Sequence, residues 1–159
     1  MYRTRNEEDT FALGRALGGA LRAGDTVLLY GELGTGKSVL ARGCASALGV
    51  NEAMASPTFT LMQPYRGTAG SVYHYDLYRL SGADELYYSG LEEHIGTDGV
   101  ALIEWPQQAD VCPEKPVEID FERGQTPDER RIEIAVIGMD DRKDVIERAM
   151  SVFAAEMEI

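Results

Sequence analysis

At 159 residues the chain is one domain spanning 1–159, long enough for a single three-layer core and too short for two. Its 44% hydrophobic and 26% charged content is that of a soluble globular protein, and no apolar run approaches membrane-spanning length. The net charge of −12 argues against tight binding to a nucleic-acid backbone, which needs basic surface to release counterions.

The polar opening Met1-Tyr2-Arg3-Thr4-Arg5-Asn6 has no signal-peptide core, so a cytoplasmic protein is expected. Thr4 with Glu7 forms a capping-box pattern ahead of Phe11, Leu13, Ala16, Leu17, Ala20 and Leu21, which predicts a helix closed by Gly24. Thr26-Val27-Leu28-Leu29-Tyr30 then reads as a buried strand. It runs into Gly31-Glu32-Leu33-Gly34-Thr35-Gly36-Lys37-Ser38 and a helix from Val39 to Leu48 that ends at Gly49.

This is G-x-x-x-x-G-K-[ST] in the strand-before, helix-after setting that the motif requires. Gly31, Gly34 and Gly36 let the backbone adopt positive φ, so that successive N–H groups converge on a phosphate. The helix that follows adds the positive end of its dipole. Gly31 through Val39 are therefore the expected nucleotide-binding residues. Lys37 would reach the β- and γ-phosphates, and the Ser38 hydroxyl would ligate Mg²⁺. Guanine is read in common GTPases by an Asp two residues after a motif lysine. The three lysines here are followed at that position by Val39, Val117 and Val145, which favours ATP.

Further along, Ala55 to Tyr65 and Ser71 to Asp76 flank a turn from Gly67 to Gly70 and predict a hairpin. Ala83 to Ile95 reads as short helical pieces broken at Gly90. Val100-Ala101-Leu102-Ile103-Glu104 is a strand buried on both faces and stopped by Pro106. Val117 to Phe121 and Arg131 to Val136 alternate as an antiparallel pair. Ile146, Met150, Phe153 and Met157 recur at helical spacing. The fold class expected is α/β: a three-layer P-loop NTPase fold with a mixed, mainly parallel central sheet and an antiparallel hairpin.

A phosphate-loop protein needs an acid at the end of a neighbouring strand to help hold Mg²⁺. Glu104 ends the most apolar such strand and is assigned that role. Asp76, which ends a more polar strand, is the candidate for orienting the attacking water or for backing the metal's ligands. Ser56 or Thr58, in the loop after the phosphate-loop helix, could report the γ-phosphate, and a plain Ser-Pro turn is the competing reading. Arg79 reads as the partner of a surface carboxylate rather than a stabiliser of transferring charge, Trp105 as a packing anchor, and Cys44 and Cys112 as structural filler. His74 and His94 imply no metal site.

The phosphate loop, Ser56-Pro57-Thr58-Phe59, Tyr73-His74-Tyr75-Asp76-Leu77-Tyr78-Arg79 and Leu102-Ile103-Glu104-Trp105-Pro106, in that order and spacing, resemble the TsaE (YjeE) family. The resemblance covers the chain from the first helix to about residue 106. It implies the small ATPase required for bacterial synthesis of N6-threonylcarbamoyladenosine (t6A) in tRNA, acting with the TsaD–TsaB pair and resetting it between turnovers. By similarity, Lys37 and Ser38 carry phosphate and Mg²⁺ binding, Glu104 the Mg²⁺ role and Asp76 a role in hydrolysis. The acidic balance agrees with a protein that binds proteins rather than tRNA. Ser38 stands where many relatives have Thr, and both present the hydroxyl. A P-loop small-molecule kinase is the alternative from another class, though its usual arginine-rich lid has no counterpart among the scattered Arg22, Arg42, Arg66, Arg79 and Arg123. A nucleotide-dependent scaffold is a third reading.

Overall fold

Thr26–Tyr30 (β2) is the centre of a seven-stranded sheet because its Val27-Leu28-Leu29 run is apolar on both faces, and every residue but the last is buried. A computed structural model describes residues 1–57 and 59–157, and side chains through Ser151. The other strands are β1 (Tyr2–Thr4), β3 (Met62–Gly67), β4 (Gly70–Asp76), β5 (Gly99–Glu104), β6 (Val117–Arg123) and β7 (Arg130–Val136), in the spatial order β1-β7-β6-β2-β5-β4-β3. β2 pairs in parallel with β5 on one side and β6 on the other, and β5 pairs in parallel with β4. Only β3 and β7 run against the rest, so the sheet is mixed and mainly parallel, as expected.

Alternation along the strands divides the interior in two. Val27, Leu29, Val72, Val100 and Leu102 face α1 (Glu7–Gly18), α2 (Lys37–Ala47) and α4 (Asp140–Met157), whose Leu13, Leu17, Leu40 and Ile146 fill that layer. Leu28, Tyr73, Tyr75, Ala101 and Ile103 face the other way, onto Leu86 of α3 (Ala83–Ser89) and Ala109 of a 3₁₀ turn, Pro106–Ala109. A second 3₁₀ turn, Leu91–His94, follows Gly90 as predicted. The three layers are thus unequal, with the long helices all on one side.

Two expectations about the N-terminus are corrected. Thr4 does not cap α1. It ends β1, opposite Arg130 of β7, with its hydroxyl buried and accepting from Thr10 Oγ1 at 2.8 Å. Asn6 caps instead, its side chain accepting from the Asp9 amide at 2.8 Å. The helix also stops at Gly18, well before Gly24, which supplies a positive φ of 94° in the turn into β2. α2 ends at Ala47, and Gly49 follows at φ 89°. α4 carries the buried Ile146 and Met150 as foreseen, while the side chains of Phe153 and Met157 lie outside the described residues. Arg142 of α4 is buried against Asp25 and donates to the Ala20 carbonyl at 2.8 Å, which ties the helix to the layer beneath it.

Glycine permits a close backbone approach between α1 and α2. A Cβ on Gly14 would stand 2.2 Å from the Leu40 carbonyl oxygen, and one on Gly43 2.2 Å from that of Phe11. The seat of α2, and of the residues at its first turn, therefore depends on these glycines.

Candidate nucleotide site

Parallel strands deliver their C-terminal ends to one edge of the sheet, and that is where the predicted residues meet. The loop leaving β2 turns on Gly31 (φ 153°), Gly34 (φ 76°) and Gly36 (φ 99°), values that a side chain would oppose. The amides of Gly34, Thr35 and Gly36 donate to no protein acceptor among the described residues. Leu33 through Val39 line a cleft of about 430 Å³ that also touches Ser56, Asp76, Glu104 and Trp105. Gly31 and Glu32 do not line it. Their carbonyls instead accept from Lys37 Nζ, at 2.8 Å in the case of Glu32.

Lys37 is only 4% exposed, and its ammonium lies 4.3 Å from the centre of the Trp105 ring. Burial pushes its pKa below the usual lysine range, against the upward pull of Glu104, Asp76 and Glu32. The ammonium is thus parked on neutral carbonyls and an aromatic face, close to the carboxylates without contacting them.

β4 and β5 are in register so that Asp76 and Glu104 are neighbours at the sheet edge. Ser38 Oγ lies 2.9 Å from each oxygen of Glu104, joining the first turn of α2 to the end of β5. Asp76 is 9% exposed and accepts from Ser56 Oγ and from the Tyr78 amide, both at 3.1 Å. The two carboxylates therefore have different settings. Glu104 faces the hydroxyl at the helix start, and Asp76 faces the loop after α2. Thr58, the other hydroxyl predicted there, lies outside the described residues.

Hard oxygen donors suit Mg²⁺, and Mg²⁺ is ordinarily held by one or two protein groups together with substrate phosphates. Ser38 and Glu104 meet that requirement without a dedicated cage. Among the described residues no group of three or more His, Cys, Asp or Glu side chains is placed to hold a metal ion alone.

The structure also places residues that the sequence reading left aside. His74, buried on β4, puts Nε2 2.6 Å from Glu104 Oε2. A carboxylate only accepts, so Nε2 donates, and Nδ1 has no partner among the described residues. Trp105 is more than a packing anchor. It sits at φ 58°, in the left-handed region that a bulky residue enters only at a cost of about 1–3 kcal/mol, and so turns its ring under Lys37 and against Tyr78. Arg79 is placed with its guanidinium 4.6 Å from the centre of the Phe59 ring, an aromatic contact in place of the expected surface carboxylate. Arg123, read as scattered, and Arg130, at the start of β7, both reach the phosphate loop. Arg123 donates to Leu33 O at 2.9 Å, and Arg130 donates to Thr35 O at 3.1 Å and Gly34 O at 3.2 Å. No local pattern announces such contacts. An arginine at the end of a strand is the only hint available.

The family described as "Threonylcarbamoyl adenosine biosynthesis protein TsaE" matches this chain over residues 4–132. The chain belongs to the TsaE family. The match takes in the loop, both strand-end carboxylates and the arginines of the β6–β7 hairpin. Relatives named tRNA threonylcarbamoyladenosine biosynthesis protein TsaE include one from Bacillus subtilis, 34% identical over 86% of this chain and 85% of its own. Another, from Streptomyces coelicolor, is 40% identical over 82% of this chain and 90% of its own. Among solved structures, Bacillus subtilis YdiB superposes with a TM-score of 0.74 at 29% identity, covering 95% of this chain and 93% of that one. The likeness to YdiB supports the α/β fold with its mainly parallel sheet. Among the described residues no helix is long and apolar enough to cross a membrane.

Proposed function

We propose that this TsaE protein is the ATP-hydrolysing subunit of t6A synthesis, a Mg²⁺-dependent ATPase that works on the TsaD–TsaB pair in the cytoplasm to drive its turnover. The observation that carries the reading is the convergence of Lys37, Ser38, Glu104 and Asp76 beside three unclaimed loop amides. The names of the relatives support the pathway.

Phosphates entering the cleft would be met by the amides of Gly34, Thr35 and Gly36, with Gly31 through Val39 as the binding segment. Lys37 would exchange its two carbonyl acceptors for phosphate oxygens, a gain because the ammonium then faces full negative charge instead of carbonyl dipoles. Mg²⁺, when bound, neutralises charge on the phosphates, and Ser38 and Glu104 are the residues that would hold it. Asp76 stands one strand away from Glu104 and would orient the attacking water. Arg123 and Arg130 are committed to loop carbonyls, which supports slow turnover by the chain alone. In GTPases a supplied arginine is worth about 10³–10⁵ in rate.

The test is steady-state ATPase with the chain alone, with TsaD–TsaB, and with tRNA added separately. The expected result is weak basal turnover, stimulation by TsaD–TsaB, and poor tRNA binding by the lone chain. Fast turnover that depends on a small acceptor molecule would establish a kinase instead. Tight, salt-sensitive tRNA binding would overturn the argument from charge.

A further inference from the structure

We propose that Arg123 and Arg130 of the β6–β7 hairpin are positioning residues for phosphate binding, holding three consecutive carbonyls of the loop in place so that its amides stay turned into the cleft. The inference rests on the phosphate-binding reading of that loop and adds a brace to it, of which Arg130 also lines the cleft.

A phosphate cradle needs converging N–H groups, and Gly34 and Gly36 leave the backbone wide conformational freedom at the point where those groups must converge. Across a trans peptide, the C=O of one residue and the N–H of the next point in opposite directions in one plane. Fixing the carbonyls of Leu33, Gly34 and Thr35 therefore fixes the amides of Gly34, Thr35 and Gly36. Those carbonyls are the ones the two arginines engage, at 2.9, 3.2 and 3.1 Å, and those amides are the ones without a protein acceptor.

The brace is itself held. Arg130 Nη1 donates to Pro127 O at 2.7 Å and to Glu129 O at 2.8 Å, so all three guanidinium nitrogens are engaged. Behind it, the Glu129 carbonyl closes the hairpin by accepting from the Gly124 amide at 2.8 Å, and the buried Glu129 carboxylate accepts from Arg3 of β1 at 2.8 Å. The planar fork of arginine suits this task, since one head spans two neighbouring carbonyls and lysine presents a single point. The arginine bonds also differ from those of Lys37 to Gly31 and Glu32. Lys37 leaves its carbonyls to meet phosphate, whereas the arginine bonds gain from staying in place.

The experiment measures pyrophosphate and ADP binding without Mg²⁺, together with hydrogen exchange of a peptide covering residues 31–37 in the ligand-free protein. It compares the wild type, Arg123→Ala/Arg130→Ala, Arg130→Lys, and Arg66→Gln as a charge control from the exposed edge strand. The expected result is a loss of about tenfold or more in affinity for the double variant, as charge-assisted bonds are lost. Loop exchange in the absence of ligand should be faster, Arg130→Lys should fall in between, and Arg66→Gln should behave as wild type. Lost affinity with unchanged exchange would overturn the proposal in favour of direct charge on the ligand. Wild-type behaviour of Arg130→Lys in both readouts would also overturn the fork, and this variant decides the matter if the double variant does not fold. Absence of pyrophosphate and ADP binding by the wild type would instead sink the phosphate-site reading itself.

Discussion

Gly14→Ala adds a single methyl group where α1 meets the backbone of α2. The added Cβ would lie 2.2 Å from Leu40 O and 3.1 Å from Gly43 Cα. Ordinary contact requires about 3.5 Å, so the helices must part locally by roughly 1 Å. Overpacking costs about 1–3 kcal/mol, and a 2.2 Å approach to a backbone oxygen belongs in the upper part of that range, about 2–3 kcal/mol. Alanine recovers about 1 kcal/mol through its higher helix propensity. The net expectation is destabilisation by about 1–2 kcal/mol. At about 2–4 °C per kcal/mol for a chain of this size, the melting temperature should drop by roughly 2–8 °C. Gly19→Ala is the matched control. That residue has φ −63°, and a Cβ there would have 3.7 Å to its nearest neighbour, so the substitution should be neutral or stabilising by about 0.4–1 kcal/mol. Urea denaturation of both variants gives the free energies, and ADP titration reads the displacement of Lys37 and Ser38 at the start of α2. Equal midpoints for Gly14→Ala and Gly19→Ala would refute the claim that glycine contact seats α2.

Lys37→Ala should weaken ATP binding by more than about tenfold, because the site loses its charge-assisted phosphate partner; calorimetry in Mg²⁺ buffer checks this. Glu104→Gln should reduce the Mg²⁺ dependence of nucleotide binding, while Asp76→Asn should slow hydrolysis and leave Mg²⁺-nucleotide binding largely intact. A structure with Mg²⁺-ADP in which Asp76 is nearer the metal would reverse that division. Burial pushes the Cys44 thiol up to about 12, and Cys112 is exposed, so a thiol reagent at neutral pH should label Cys112 in the native protein and Cys44 only after unfolding. The sign of the linkage follows: Cys44 contributes stability that is intact below its unfolded pKa, near 9.0, and is lost as pH rises toward about 12.

The parts of the site visible in the sequence were those whose signal is local. Gly31 to Ser38 between a strand and a helix, and Glu104 at the end of an apolar run, are patterns that a few adjacent residues carry. β1 was missed because three residues cannot display an alternation, and Thr4 looked like a cap while its hydroxyl was committed to Thr10. Arg130, His74 and Trp105 act across distances in sequence that no pattern encodes: Arg130 meets Gly34 96 residues away, and His74 meets Glu104 30 residues away. Trp105 depends on a backbone conformation that disfavours its own side chain, so propensity pointed elsewhere.

The sheet has two open margins, and neither offers much to another strand. β3 contains Pro64, which has no N–H to donate, and the exposed Arg66. β1 is only three residues long, its exposed Arg3 is tied back to Glu129, and α1 begins three residues after it ends. Short edges bearing charge or proline discourage intermolecular ladder formation. A partner that grips this protein by strand addition would find few free ladder groups. Recognition must therefore be written in side chains and loops, where single substitutions can retune it without disturbing the sheet.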